Sequence, residues 1–378
     1  MTKPPLFPPA FPVDEFRSRL AALRTAMAER QVDLLVIDQF EHIQYFGGHR
    51  STAAMYQALL IPLDGEPVAV IRELDAPVFS EMSWLTNCLV IGDHENPIKV
   101  VAETILARAH GASAIGIDRD SHFLTLNRAR ELECLLPQAK FVDFSGVMWE
   151  MRQVKSPLEL ACLKVAAEIC DLATAVGLDA ALAGVDEREV FAAMAAEALR
   201  NGADNAALGV LVSGPRSASL HGVLGHRTLA EGDILHIEMA PQFRAYTSRM
   251  MRPKAIGEPT DEQLQAARAM IGIQNEQFHA MRPGAEAKEI DLIVREGLLA
   301  AGLRDSYTNV TGYTLGLVSV PRATDFTRVF LAGSNWRLKQ NQVFHMYTCA
   351  AGMAFSETVV VTPDGGKRLT TMERMLFY

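Results

Sequence analysis

The sequence predicts an α+β protein of two domains, a smaller N-terminal α/β domain over residues 1–150 and a larger C-terminal domain over residues 151–378. The chain has 378 residues, of which 49% are hydrophobic and 21% are charged, so it can bury a core in each of two domains. Short strands alternate with helices in the first part. Helices and antiparallel strands follow in runs in the second, which is typical of an α+β domain.

The spacing of apolar residues predicts each element of the N-terminal domain. Phe16, Leu20, Leu23 and Met27 recur at helical spacing and predict a helix from Val13 to about Arg30. The elements expected after it are strands at Leu34–Ile37, Gln57–Pro62, Pro67–Ile71, Ala114–Ile117 and Lys140–Val142 and helices at Ile98–Ala109 and Leu124–Leu136.

The C-terminal domain begins with a helix start signal. Ser156-Pro157-Leu158-Glu159 is a capping box with proline at the first helical position, and an alanine-rich helix follows toward Leu182. The elements expected after it are helices at Glu187–Arg200, Asp261–Met281 and Ala287–Ala301 and strands at Asp233–Met239, Phe243–Met250, Gln342–Cys349 and Ala354–Thr362.

Composition limits the classes of molecule that the protein is expected to bind. A net charge of -9 and a pI near 5.6 argue against a nucleic-acid or anionic-membrane partner and favour a small molecule or a peptide. The start of the chain lacks the pattern of a signal peptide, and no apolar run approaches the roughly 20 residues needed to span a bilayer. The five cysteines show no C-x-x-C spacing, so we expect reduced thiols in a cytoplasmic protein.

Four stretches of the second half carry a family resemblance. They are Arg152–Ser156, His221 with the following Glu231–Glu238, Thr311–Leu317 and Ser356–Thr362. In this order and spacing they resemble the pita-bread hydrolases, the superfamily of creatinase, aminopeptidase P and prolidase. The resemblance implies a C-terminal pita-bread (creatinase/methionine aminopeptidase-like) domain and a smaller N-terminal α/β creatinase-type domain.

The resemblance also implies a homodimer in which the N-terminal domain contributes to the site of the partner. Tyr45-Phe46-Gly47-Gly48 looks like part of the family's smaller domain, and Arg50 follows it closely. Arg50 is therefore a candidate for contact with substrate in the partner subunit. An ordinary polar loop is the alternative.

Metal-dependent members of the superfamily hold two divalent ions with two aspartates, one histidine and two glutamates. The matching positions here are Glu238, Arg249, Tyr313, Tyr347 and Ser356. An arginine stays protonated and cannot replace an anionic ligand, so the resemblance predicts no metal ion and no other cofactor.

Three residues are the catalytic candidates. His221 matches the histidine that carries the proton in metal-free creatinase, and an imidazole can exchange a proton near neutral pH without a metal. Glu238 and Glu357 are candidates to orient a water molecule or to bind an amidinium group. The alternatives are an ordinary loop histidine and two structural carboxylates.

Substrate contacts are expected from aromatic and basic side chains near these positions. Arginines can clamp a substrate carboxylate with two hydrogen bonds, and His345 is either a second proton carrier or a core imidazole. The substrate-binding candidates are Tyr313, Arg249, Arg322, Arg328, Tyr347, His345 and Arg50.

The function that this resemblance implies is metal-independent hydrolysis of a non-peptide C–N bond in a small zwitterionic or amidine-type metabolite. Thr311-Gly312-Tyr313 and Phe344-His345-Met346 lean toward the ectoine hydrolase and creatinase branch. Two alternatives stay open, an Xaa-Pro dipeptidase or aminopeptidase that uses metal and a non-catalytic binding protein.

Overall fold

A computed structural model describes residues 10–50, 55–108, 114–205, 209–319, 322 and 324–378. The chain divides into two compact units, one ending at Met151 and the other spanning Arg152–Tyr378. Ala109, the last residue of a predicted helix, lies outside the described residues. Over the described ranges, no helix has both the length and the apolar character that a membrane span requires.

The first unit is built on a mainly parallel sheet. Its described strands form a six-stranded sheet in the order β4-β3-β2-β1-β5-β6. Of these strands, β2 alone runs antiparallel to its neighbours. The elements are α1 (Val13–Glu29), β1 (Leu34–Ile37), α2 (Phe40–Gly47), β2 (Ala58–Pro62), β3 (Val68–Arg72), α3 (Ala76–Met82), β4 (Cys88–Ile91), α4 (Pro97–Arg108), β5 (Ala114–Ile117), α5 (Leu126–Leu135), β6 (Lys140–Asp143) and α6 (Val147–Met151).

Both faces of this sheet are covered by apolar side chains. Leu35 and Ile37 pack into a cluster with α1 and α2, whereas Leu34 and Val36 pack on the opposite side with α4 and α5. Successive residues of a strand point to opposite faces, so the uninterrupted apolar run of β1 fits a strand buried on both sides.

The second unit contains the larger sheet. Its described strands follow the order β13-β12-β14-β15-β11-β8-β7, with β16 paired to β15. The elements are α7 (Pro157–Ala180), α8 (Glu187–Arg200), β7 (Gly209–Ser213), β8 (Ile234–Met239), β9 (Gln242–Phe243), β10 (Tyr246–Thr247), β11 (Met250–Ala255), α9 (Asp261–Ala280), α10 (Ala287–Ala300), β12 (Gly312–Thr314), β13 (Val329–Phe330), β14 (Val343–Ala350), β15 (Met353–Thr362) and β16 (Gly365–Arg368).

The long helices cover one face of this sheet. Ile237 and Met239 on β8 pack in one apolar cluster with residues of α7 and α8. Phe344 and Met346 on β14 pack in another with residues of α9 and α10. Glu238 lies between Ile237 and Met239 and therefore points to the opposite face, which we call the open face of the sheet.

The predicted capping box is confirmed. The Ser156 hydroxyl accepts from the amide of Glu159 at 3.3 Å, and the Glu159 carboxylate accepts from the amide of Ser156 at 2.9 Å. The same carboxylate accepts from the hydroxyl of Tyr246 at 2.9 Å and so joins the start of α7 to β10.

The prediction of one continuous strand at Phe243–Met250 was wrong. Arg244 and Ala245 have φ of 52° and 64°, a left-handed conformation that reverses the chain between the short strands β9 and β10. Neither residue belongs to the usual turn formers, so the sequence pattern did not reveal the turn.

A turn and helix recur in the second unit. Gly184 and Gly284 have φ of 89° and 87°, and each precedes a helix of 14 residues, α8 or α10. Each of these helices pairs with the long helix before it, α7 or α9. The unit therefore contains two similar halves, of which the first contributes β7, β8 and β11 and the second contributes β12 to β16.

Candidate active site

Strand register places the matched positions on the open face of the larger sheet. Glu238 lies opposite Met251, Met251 lies opposite Ser356, and Ser356 lies opposite Tyr347. Directly paired residues of an antiparallel sheet share a face. Tyr313 lies opposite His345, two residues before Tyr347, and therefore points to this face as well.

Arg249 is the centre of this arrangement. Its guanidinium donates through Nη2 to Oε1 of Glu238 and through Nη1 to the hydroxyl of Tyr313. All three side chains are buried. Burial lowers the pKa of Arg249. The attraction of Glu238 and Tyr313 and the hydrogen bonds to them raise it by more, so the pKa lies above its ordinary value. The arginine is thus a permanent cation, and Glu238 is its counter-ion.

Two neutral imidazoles share the open face. His236 precedes Glu238 by two residues on β8, and burial together with the charge of Arg249 lowers its pKa to about 4. Burial and the same guanidinium lower the pKa of His345 well below its ordinary value. Neither ring has a hydrogen-bond partner among the described residues. At neutral pH both rings are uncharged.

Aromatic rings surround Arg249 on the side of β12 and β14. The Tyr313 ring centroid lies 5.0 Å from that of His345, 6.0 Å from that of Tyr347 and 5.4 Å from that of Phe326. Burial raises the pKa of Tyr347 to about 12, and its hydroxyl accepts from the side-chain amide of Asn309 at 3.3 Å. Both tyrosine hydroxyls therefore stay protonated at neutral pH.

This donor set does not fit a divalent metal ion. Of the matched positions, Glu238 supplies a carboxylate, but Arg249 already engages one of its oxygens. Tyrosine hydroxyls and a serine are poor ligands for such ions while protonated, and a guanidinium repels a cation. Among the described residues, no three histidine, cysteine, aspartate or glutamate side chains are arranged to hold a metal ion.

His221 lies in an exposed turn between β7 and β8. The next residue, Gly222, packs on β7 so closely that a Cβ there would lie 2.5 Å from Cγ1 of Val212. Val212 is paired with His236 and so points to the open face. The turn that carries His221 therefore lies over the same face as Glu238.

Glu357 does not lie on the same face of the sheet as Glu238. It follows Ser356 directly on β15 and points to the opposite face of the sheet, because neighbouring strand residues alternate. There it is fully buried, accepts from Arg252 at 2.8 Å and from Arg368 at 3.2 Å, and has Nε of Arg374 at 3.7 Å. Glu357 is therefore the anion of a structural ion cluster with Arg252, Arg368 and Arg374.

The remaining arginine candidates lie elsewhere or are only partly defined. Arg328 extends over the ring of Trp336, with Cζ 5.8 Å from the centroid, and donates to the carbonyl of Thr327 at 2.9 Å. These contacts hold Arg328 beside Trp336, and its part in binding a substrate stays a prediction. Arg322 is half-buried between residues that the structure does not describe. Arg50 is half-buried in the first unit and also borders undescribed residues.

Sequence reasoning missed His236 and Phe326 as site residues. Strand alternation could have found His236, because a residue two positions before Glu238 on one strand must share its face. Phe326 lies in the irregular segment between β12 and β13, where no periodicity applies.

The two-domain fold is that of the pita-bread superfamily of hydrolases. The profile of metallopeptidase family M24 matches residues 161–363, and that of the creatinase/prolidase N-terminal domain matches residues 19–154. The chain belongs to metallopeptidase family M24.

The proteins to which it is similar are named for different activities. The chain is 25% identical to the Xaa-Pro dipeptidase of Pyrococcus furiosus, over 95% of this chain and 99% of the relative. It is also 25% identical to the ectoine hydrolase of Halomonas elongata, over 97% and 98%. Among solved structures, it is similar to dipeptidase PepE of Mycobacterium ulcerans, with a TM-score of 0.82 and 25% identity over 97% and 98% of the two chains.

Proposed function

We propose that this protein is a hydrolase that works without a bound metal ion and cleaves a non-peptide C–N bond in a small zwitterionic or amidine-type metabolite. The observation that carries the proposal is the buried Arg249 guanidinium, which bonds both Glu238 and Tyr313 at positions that match metal ligands. The fixed charge of Arg249 takes the place of a dissociable cation. The similarity to an ectoine hydrolase supports this substrate class.

In this proposal, each of four residues at the open face has a separate role in the reaction. His221, exposed in its turn over this face, accepts a proton from the attacking water and returns it to the leaving nitrogen. Arg249 and the hydroxyls of Tyr313 and Tyr347 stabilise negative charge that develops on the substrate, because all three are hydrogen-bond donors. Glu238 holds Arg249 in place and provides a carboxylate for a cationic group.

Turnover with and without a chelator tests this function. We expect hydrolysis of at least one compound among ectoine, creatine-like guanidines and hydantoin-type amides, and we expect excess EDTA to leave the rate unchanged. His221→Ala should lower kcat by about 10²- to 10⁴-fold. His226→Ala is the matched control, because His226 is an exposed histidine of the same connection; its rate should stay within about twofold of the parent.

Two outcomes would contradict the proposal. Hydrolysis of prolyl dipeptides that EDTA abolishes, together with near-stoichiometric manganese, iron or zinc in the purified protein, would identify a metallopeptidase. Stabilisation by a ligand without any turnover would identify a binding protein instead.

A further inference from the structure

We propose that Phe326 is a specificity-determining residue of this site, and that its ring forms with Tyr313 and Tyr347 an aromatic wall for a planar, delocalised cation such as an amidinium group. The inference rests on the proposed function and defines the chemical group that the open face selects. Two independent features of Phe326 support it, its backbone conformation and the position of its ring.

The backbone of Phe326 is held in a conformation that a phenylalanine rarely adopts. Its φ is 53°, in the left-handed region, where the Cβ of an L-residue comes too close to the following carbonyl oxygen. Thr324 fixes this geometry, because its hydroxyl donates to the carbonyl of Thr314 at 2.6 Å and accepts from the amide of Phe326 at 3.1 Å. The strained residue is thereby tied to β12, the strand that carries Tyr313.

Burial does not explain why this conformation is maintained. The Phe326 residue is 60% exposed, although it is a large apolar residue beside the buried Tyr313. Hydrophobic stabilisation scales with the area removed from water, so an exposed ring offsets little of the backbone strain. Contact with a ligand would account for both the strain and the exposure.

The neighbouring rings define the surface that such a ligand would meet. Phe326 lies 5.4 Å from Tyr313, and Tyr313 lies 6.0 Å from Tyr347, measured between ring centroids. Aromatic faces carry negative potential and attract organic cations, with planar cations stacking over the largest area. The rings are tilted, by 54° between Phe326 and Tyr313 and by 61° between Tyr313 and Tyr347, and Cζ of Arg249 lies over the Tyr313 ring at 5.6 Å from its centroid. Of these three rings, Phe326 therefore presents the exposed face to a ligand, and the two buried tyrosines line the wall beside it.

The local charges favour a cation despite the nearby arginine. The carboxylate of Glu238 balances the charge of Arg249, and Oε2 of Glu238 has no hydrogen-bond partner among the described residues. Burial and Arg249 keep the pKa values of His236 and His345 low, so these two imidazoles add no positive charge at neutral pH. The uncommitted oxygen of Glu238 is a complementary acceptor for an N–H of the ligand.

Binding of two cationic probes tests the wall without requiring turnover. Benzamidine is a planar amidinium, and cyclohexylammonium is a non-planar cation of similar size. We expect isothermal titration calorimetry to show that Phe326→Leu weakens benzamidine binding by about 3- to 30-fold and cyclohexylammonium binding by less than about 2-fold. Phe326→Tyr, which retains the ring, should keep the parent affinity within about 2-fold.

Tyr378→Leu is the matched control, because Tyr378 is 62% exposed and lies at the end of the chain. This variant should bind both probes as the parent does, and an unchanged unfolding midpoint for each variant shows that the fold is kept. Absence of benzamidine binding to the parent, equal loss of both probes in Phe326→Leu, or no loss at all would each overturn the proposed wall. Benzamidine binding that depends on Phe326 in a protein with no turnover would support the wall and count against the proposed hydrolase.

Discussion

Arg249 and Glu238 form a buried ion pair, and removal of either side chain is expected to destabilise the fold. Both side chains are buried, and Oε1 of Glu238 is bonded by the guanidinium. A buried pair contributes little net stability, but loss of one partner leaves an uncompensated charge in a medium of low polarity. The pair therefore constrains substitution more than it stabilises the fold.

Arg249→Met should lower the free energy of unfolding by about 3–5 kcal/mol, because Glu238 would be left buried without its counter-ion. The double variant Glu238→Gln/Arg249→Met should recover most of this loss. Urea denaturation at pH 7 measures both values. A single variant as stable as the parent would show that the carboxylate reaches water or another cation.

Strand register relates the matched positions to one another. Tyr313, Tyr347 and Ser356 lie with Glu238 and Arg249 on one face of the sheet, and their part in a reaction stays a prediction. Glu357 was misplaced, although strand alternation already implies that two consecutive residues, Ser356 and Glu357, cannot share a face. The contact between Arg249 and Tyr313 could not be foreseen, since it depends on side-chain conformations across two strands.

At the scale of elements, the ends of two neighbouring parallel strands bring carboxyl groups together in the first unit. Asp38 follows β1 and Asp118 follows β5, and both are buried. Burial raises the pKa of Asp38 to about 7, opposed by a hydrogen bond from Ser121 and reinforced by the charge of Asp118. At pH 8 the native state therefore holds two close, buried carboxylates.

Asp38→Asn should stabilise the protein at pH 8 and have little effect at pH 4. The native pKa of Asp38, about 7, exceeds the ordinary 3.8, so the parent is fully stabilised below pH 4 and loses stability as the pH rises through 7. An asparagine stays neutral and avoids this loss, which is about 4 kcal/mol at pH 8.

Urea denaturation at the two pH values measures this difference. Asp64→Asn, which changes an exposed aspartate of the same unit, is the control and should show no such pH-dependent gain. An equal effect of Asp38→Asn at pH 4 and pH 8 would contradict the assigned titration.

Element boundaries were predicted well wherever local signals agreed. The helix Glu187–Arg200 and the strands Leu34–Ile37 and Ala114–Ile117 have the predicted ends. The strand at Phe243–Met250 was mispredicted because Arg244 and Ala245 turn the chain without glycine, asparagine or proline. Tertiary contacts, such as the bond between the amide of Ala245 and Asp204 at 2.6 Å, fix that turn, and local sequence does not encode them.

At the scale of the whole molecule, the homodimer expected from the family remains a proposal with a direct test. Arg50 of one subunit would contact substrate held by His221 and Arg249 of the other. Arg50→Ala and His221→Ala should each have strongly reduced activity as pure proteins. After the two are unfolded, mixed and refolded together, mixed dimers contain one site with both residues intact, so activity should return to as much as about a quarter of the parent value.

Refolding each variant alone is the control and should restore nothing. Sedimentation velocity should give a dimer for the parent and for both variants. A monomer, or a mixture no more active than its components, would refute the shared site.

The two similar halves of the second unit have a consequence for how the site forms. Glu238 and Arg249 belong to the first half, whereas Tyr313, Tyr347 and Ser356 belong to the second, and β11 and β15 meet at a single registered pair, Met251 and Ser356. The bond from Arg249 to Tyr313 therefore crosses the seam between the halves. We therefore expect the contact between Arg249 and Tyr313 to form only after the two halves have docked during folding.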